Sequence, residues 1–226
     1  DDKCPNIADH GEAHIDQQEF IALLRHQLAT DRGHDADCTP LGIFGATSSL
    51  FKLCLTLHGY TLVAKGVEEE DARHLQHENE VYDHVSSLQG TSVPVCLGTI
   101  DLIKPYYFDR GVYTKFLLLS YGGRPVLCEM SEVEPSVVDQ ILTALSQLHE
   151  CNVLHHDAER RNVLYDRSSG RCMLIDLMLA ETPTQKPPRS TNMWKWVKTG
   201  KHGSDAFSAE LQSLRERLTR LPGSYM

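Results

Sequence analysis

The chain is predicted to be an α+β protein with a strand-rich first lobe and a shortened helical second lobe. Three observations point there. Apolar and polar residues alternate from Phe51 to Leu57, the period of a half-buried strand, while residues 68–88 and 134–151 switch to helical apolar spacing. Gly122, Gly123 and Pro125 in "YGGRP" then punctuate the chain as a hinge between the two patterns.

Taken in order, "EAHIDQQEFIALLRHQLAT" (12–30) places Ile15, Phe20, Ile21, Leu24 and Leu28 on one helical stripe. A polar connector, "DRGHDADCTP", follows, so residues 1–40 read as an N-terminal helical extension. In the hairpin, Phe51, Leu53, Leu55 and Leu57 alternate with Lys52, Cys54 and Thr56, His58-Gly59 turns, and "YTLVAKGV" returns. The next helix begins acidic, which suits the positive end of its dipole, and carries Leu75, Val81, Tyr82, Val85 and Leu88. Two strands, "SVPVCLGTIDL" and "VYTKFLLLSY", joined by a turn-like "KPYYFDRG", complete a first lobe at 41–121. The second lobe, 122–226, opens with a helix that has Pro135 near its start and a stripe of Val138, Ile141, Leu142, Leu145 and Leu148. "RCMLIDLMLA" reads as a short buried strand with Asp176 inside it, "TPTQKPPRST" as a Pro-rich linker, and about 205–219 as a last helix.

With 226 residues, 41% apolar and 23% charged, the chain is long enough for one sizeable core or two small lobes. No run of about eighteen apolar residues exists to span a membrane, and the N-terminal residues show no basic-then-apolar signal pattern. Seven scattered cysteines without C-x-x-C argue against a disulfide framework and a zinc knuckle, so the expectation is a cytoplasmic protein. The net charge of −9 disfavours a general nucleic-acid binder. Residues 186–226 nonetheless hold eight basic against three acidic residues, a surplus of five that leaves −14 on the rest. This tail either docks on the acidic body or meets a polyanion such as tRNA.

The stretch "VLHHDAERRNVLYD" sets Asp157 and Asn162 five residues apart, directly after a helix. Phosphoryl transfer needs a cation on the phosphates, oxygen ligands for Mg²⁺ and an acceptor near the attacking hydroxyl. Asp157 can accept or orient the hydroxyl proton, Asn162 can offer a carbonyl to a metal, and Asp176, in the apolar run "MLIDLML", can supply the main metal carboxylate.

The order of hairpin, "VAK", helix with glutamate, hinge, H-x-D-x-x-x-x-N and "LID" resembles the protein-kinase-like superfamily over about residues 41–180. It is closest in style to short fungal kinase-like proteins and to aminoglycoside- and choline-kinase-like phosphotransferases. The resemblance implies a two-lobed fold in which Lys65 holds the α- and β-phosphates of ATP and a glutamate on the next helix holds Lys65. It further implies that Asp157 is the catalytic acceptor, that Asn162 and Asp176 bind Mg²⁺, and that His155 is structural. Nucleotide contacts are implied at Gly45, Thr47 and Ser48 and at Ser120 and Tyr121. Of the two candidate partners of Lys65, a turn of about 100° per residue puts Glu78 on the inward face of Leu75, Val81, Tyr82 and Val85 and points Glu80 away.

The pattern also departs from that family. "LGIFGATSSLFK" lacks G-x-G-x-x-G, the metal Asp is followed by Leu-Met, and no A-P-E appears. Only 50 residues follow Asp176, so the helical lobe is shortened, and Glu159 stands where serine/threonine kinases place Lys. These changes argue against peptide phosphorylation. The expected function is ATP- and Mg²⁺-dependent transfer to a small-molecule acceptor. One alternative is a kinase fold reused by an aminoacyl-tRNA-dependent transferase of the arginine-using cyclodipeptide synthase type, with Lys195, Lys198 and Lys201 contacting tRNA. The other is a noncatalytic binding module.

Overall fold

The computed structural model describes residues 15–30, 37–44, 48–188 and 204–219, and the chain is an α+β protein with antiparallel sheets. It divides into two units: one runs to Asn79 and includes Val95–Tyr121, the other comprises Glu80–Pro94 and the residues from Gly122 onward.

The first unit is a five-stranded sheet in the order β1-β2-β3-β5-β4, made from β1 (Cys38–Phe44), β2 (Ser48–Leu55), β3 (Tyr60–Val67), β4 (Cys96–Phe108) and β5 (Gly111–Leu119). Alternation sends Phe51, Leu53, Leu62, Ala64, Phe116 and Leu118 to one face, where they pack with Phe20 and Leu24 of helix α1 (Gln17–Thr30). Burying each of the leucine and phenylalanine side chains stabilises the unit by about 1.5–3 kcal/mol. Gly66 is needed in β3 because a Cβ there would lie 2.7 Å from Phe116 and 2.8 Å from Phe51, whose rings stack at 5.2 Å. Helix α1 also covers the sheet edge: Gln17 Nε2 and Arg25 Nε donate to the carbonyls of Leu97 and Asp101 on β4, each at 2.9 Å. Those carbonyls would otherwise be an open strand edge.

Three boundaries differ from the sequence reading. The end of the polar connector is strand, because Cys38, Thr39 and Pro40 pair with Leu53, Lys52 and Phe51; Pro40 is tolerated because β1 is an edge strand. "KPYYF" is strand too, since β4 continues past a register irregularity to pair Tyr106 with Tyr113 and Phe108 with Gly111. The turn is only Asp109-Arg110, both with positive φ, the geometry of a tight hairpin. The acidic run ahead of α2 (Ala72–His84) forms a separate 3₁₀ turn, Glu69–Asp71. There Glu68 accepts the Val112 N–H and Glu69 the Thr114 hydroxyl, so two of these acids fasten the start of β5.

In the second unit, β6 (Arg124–Pro125), β7 (Val163–Asp166) and β8 (Arg171–Leu174) form a small antiparallel sheet beside helix α4 (Pro135–Glu150). Pro135 starts α4, whose stripe of Val138, Ile141, Leu142, Leu145 and Leu148 is buried. A short helix, α3 (Val126–Glu129), and helix α5 (Ser204–Thr219) complete the unit. Gly123 (φ +106°) brings the chain so close to β7 that a Cβ would lie 2.5 Å from the Tyr165 carbonyl. Among the described residues, no helix is long and apolar enough to cross a membrane.

Candidate functional site

In the first unit, the residues of β3 opposite the α1 core include Lys65, 6% exposed. Its Nζ donates to Oε2 of Glu78, 1% exposed, at 2.6 Å. Helical period decides the partner: Glu78 shares the buried face of α2 with Leu75, Val81 and Tyr82, whereas Glu80 is only half-buried and accepts Gln185 Nε2 at 2.8 Å. Two unit charges taken this far from water hold together because each satisfies the other.

The nucleotide residues are less uniform. Ser48 begins β2, while Gly45 and Thr47 lie outside the described residues. The Ser120 hydroxyl accepts the Val95 N–H at 2.9 Å and the Ser120 N–H donates to the Val95 carbonyl at 2.8 Å, so this serine fastens the chain ahead of β4. Tyr121 is 43% exposed.

In the second unit, the loop 153–162 is organised around His155, which is fully buried. Its Nε2 lies 3.0 Å from the Ile175 carbonyl, which can only accept, so Nε2 carries the proton and Nδ1 accepts the Asp157 N–H at 3.3 Å. One imidazole thereby ties Asp157 to the residue preceding Asp176. Asn162 makes a second tie: its side-chain Nδ2 donates to the Asp157 backbone carbonyl (2.9 Å) and carboxylate (2.8 Å), and its backbone carbonyl accepts the Ile175 N–H at 3.0 Å. Asp176 is not inside the strand, as the sequence suggested. β8 ends at Leu174, where its pairing with Val163 of β7 ends, and Asp176 takes a left-handed conformation (φ 65°, ψ 60°) ahead of the 3₁₀ turn Leu177–Leu179. A non-glycine residue held there is strained, and the Ile175 contacts on either side of the loop hold it.

The carboxylate of Asp157 is clamped by Arg161, whose Nη2 lies 2.7 and 2.9 Å from its two oxygens. Partial burial works against the Arg161 cation, but Asp157, Glu159 and Asp176 outweigh it and hold its pKa above the ordinary value. Asp176 therefore lies within electrostatic reach of the same guanidinium. Glu159 bridges Arg161 (3.0 Å) to Arg217 of α5 (2.5 Å).

Sequence reasoning missed Glu210 of α5 altogether. Its carboxylate accepts the N–H groups of His155 (3.2 Å) and His156 (2.6 Å) and lies 2.8 Å from His149 Nε2. Burial pushes its pKa up, but hydrogen bonds from His149 and the loop, with His155 nearby, win and hold the carboxyl below the usual range. No local signal marks Glu210, because it reaches the loop across more than fifty residues of chain.

Cysteine nucleophiles have little support at two buried positions. Burial pushes the Cys38 thiol up to about 12 and that of Cys172 up to about 11, far from a thiolate at neutral pH. Lys195, Lys198 and Lys201, the expected tRNA contacts, lie outside the described residues.

No protein-family profile matches the chain. It is 30% identical over 213 residues to the meiotic driver SPOK2 of Podospora anserina, an alignment that takes in 91% of this chain and 27% of that protein. The chain thus spans about a quarter of that driver's length.

Proposed function

We propose that this chain is an ATP- and Mg²⁺-dependent phosphotransferase of protein-kinase-like fold that acts on a small molecule. The observation that carries the reading is the joint holding of Asp157, Asn162 and Asp176 by His155 and Ile175. A loop built only to turn the chain has no need to tie a carboxylate and a carboxamide to the segment of a second carboxylate. The buried Lys65–Glu78 pair supports it independently, since it holds a lysine side chain in one orientation on the sheet.

The donor set fits a hard divalent cation. Asn162 spends its amide nitrogen on Asp157 and so keeps a carbonyl oxygen to offer, and Asp176 adds a carboxylate. Mg²⁺ on ATP would supply a charge-neutralised, electrophilic γ-phosphoryl group. In the first unit Glu78 would keep Lys65 in place to meet an anionic group, and in the second Asp157, held by Arg161 and Asn162, would accept the proton of an attacking hydroxyl. The likeness to SPOK2 supports a further proposal, that the chain corresponds to one segment of a driver-type protein.

The test is the transition temperature of the purified chain with and without Mg²⁺-ATP, repeated on Asp176→Asn. A bound ligand raises it through mass action. A rise in the wild type that Asp176→Asn abolishes is expected; no rise at saturating Mg²⁺-ATP would sink the assignment. Product formed from charged tRNA after apyrase treatment would replace it with the aminoacyl-tRNA reading.

A further inference from the structure

Among the described residues, most charged groups around the Asp157 loop have named partners. Asp157 and Glu159 are taken by Arg161 and Arg217, and Glu210 by His149 and two backbone N–H groups. Glu129, on the helix α3 that lies against both β7 and the 160–162 turn, is closed by Arg124 and by Arg167. Arg160 is left over. It is half-buried, its Nε is shut off from water without a hydrogen-bond partner, and among the described residues it has no ion pair.

A guanidinium keeps its proton, so its buried, partnerless Nε–H has a cost that a hydrogen-bond acceptor offsets, and an anion offsets it best. No nearby carboxylate named above is uncommitted. Arg160 lies three residues after Asp157, on the 3₁₀ turn Arg160–Asn162 that also carries Asn162. An anion held by its planar fork would therefore sit beside the loop whose carboxylate receives the proton.

We infer that Arg160 is a binding residue for an anionic group, carboxylate or phosphate, on the acceptor molecule, so that the substrate class is an anionic hydroxyl compound. This rests on the phosphotransferase reading for the word acceptor, but the anion site itself is testable without turnover.

The experiment is calorimetric titration of the whole chain with inorganic phosphate and, separately, with succinate, at constant ionic strength, on the wild type, Arg160→Gln and Arg160→Lys. Saturable binding of either anion, at least tenfold weaker in Arg160→Gln and intermediate in Arg160→Lys, is expected, and the better ligand tells phosphate from carboxylate. Should Arg160→Gln not fold, Arg160→Lys decides, because it keeps the charge and loses the fork. Equal affinity in wild type and variants, or no saturable binding, overturns the inference. So does a loss confined to Mg²⁺-ATP binding, which would make Arg160 a nucleotide contact. Failure of the wild type to bind Mg²⁺-ATP would instead strike the phosphotransferase reading and leave the anion result standing.

Discussion

Replacing Glu78 by Gln leaves Lys65 in the sheet with a neutral neighbour in place of the carboxylate 2.6 Å away. Both side chains are almost wholly buried, at 7% and 1% exposure, so water cannot take over the role of counter-ion. Breaking such a pair typically costs about 3–5 kcal/mol, and the amide oxygen of Gln recovers part of that as a neutral hydrogen bond, leaving about 2–4 kcal/mol. Glu80→Gln, at a half-buried residue that accepts a hydrogen bond from Gln185, should cost less than Glu78→Gln because its carboxylate is not shut off from water. At roughly 2–4 °C per kcal/mol for a chain of this size, the two variants separate by several degrees. Equilibrium urea unfolding, with calorimetry alongside, measures both. Equal losses would refute the argument that helical period selects Glu78, and so would a double variant, Lys65→Met with Glu78→Leu, as unstable as Glu78→Gln, because removing both charges should restore much of the loss.

Asp157→Asn should leave Mg²⁺-ATP stabilisation intact yet slow transfer by about 10²–10⁴-fold, the usual size of a lost acid–base contribution; loss of nucleotide binding in this variant would contradict its role. Glu210→Gln should be less stable than wild type above the ordinary carboxyl value of 4.5, and the gap should close as pH falls below it. The sign follows because a folded pKa held low stabilises only while the group is ionised; a gap that stays constant from pH 6 to 3 would exclude the charge of Glu210 as its source. Gly123→Ala should cost about 3 kcal/mol or more, since its Cβ meets the Tyr165 backbone at 2.5 Å, whereas Gly170→Ala, with φ +67° and nothing within 4 Å, should cost about 1 kcal/mol. Chemical unfolding of the two variants reads this difference directly.

Helices α1, α2, α4 and α5 and the β2–β3 hairpin were legible because their signals are local: apolar period, a proline at a helix start and a glycine at a turn all act within a few residues. The Lys65–Glu78 pairing was legible for the same reason, since α2 has only one face to bury. What only the tertiary structure decided are properties of chain segments far apart in sequence. β4 runs on through Pro105 because β5 offers it a partner, and Asp176 leaves its strand because β7 runs out opposite Leu174. The loop around Asp157 is held by Glu210 and Arg217, whose side chains look like the ordinary surface of an exposed helix until α5 folds against it. A periodicity reports which face of a segment is apolar; it carries no information about which distant carboxylate a backbone N–H or a guanidinium will meet, and here those meetings shape the site.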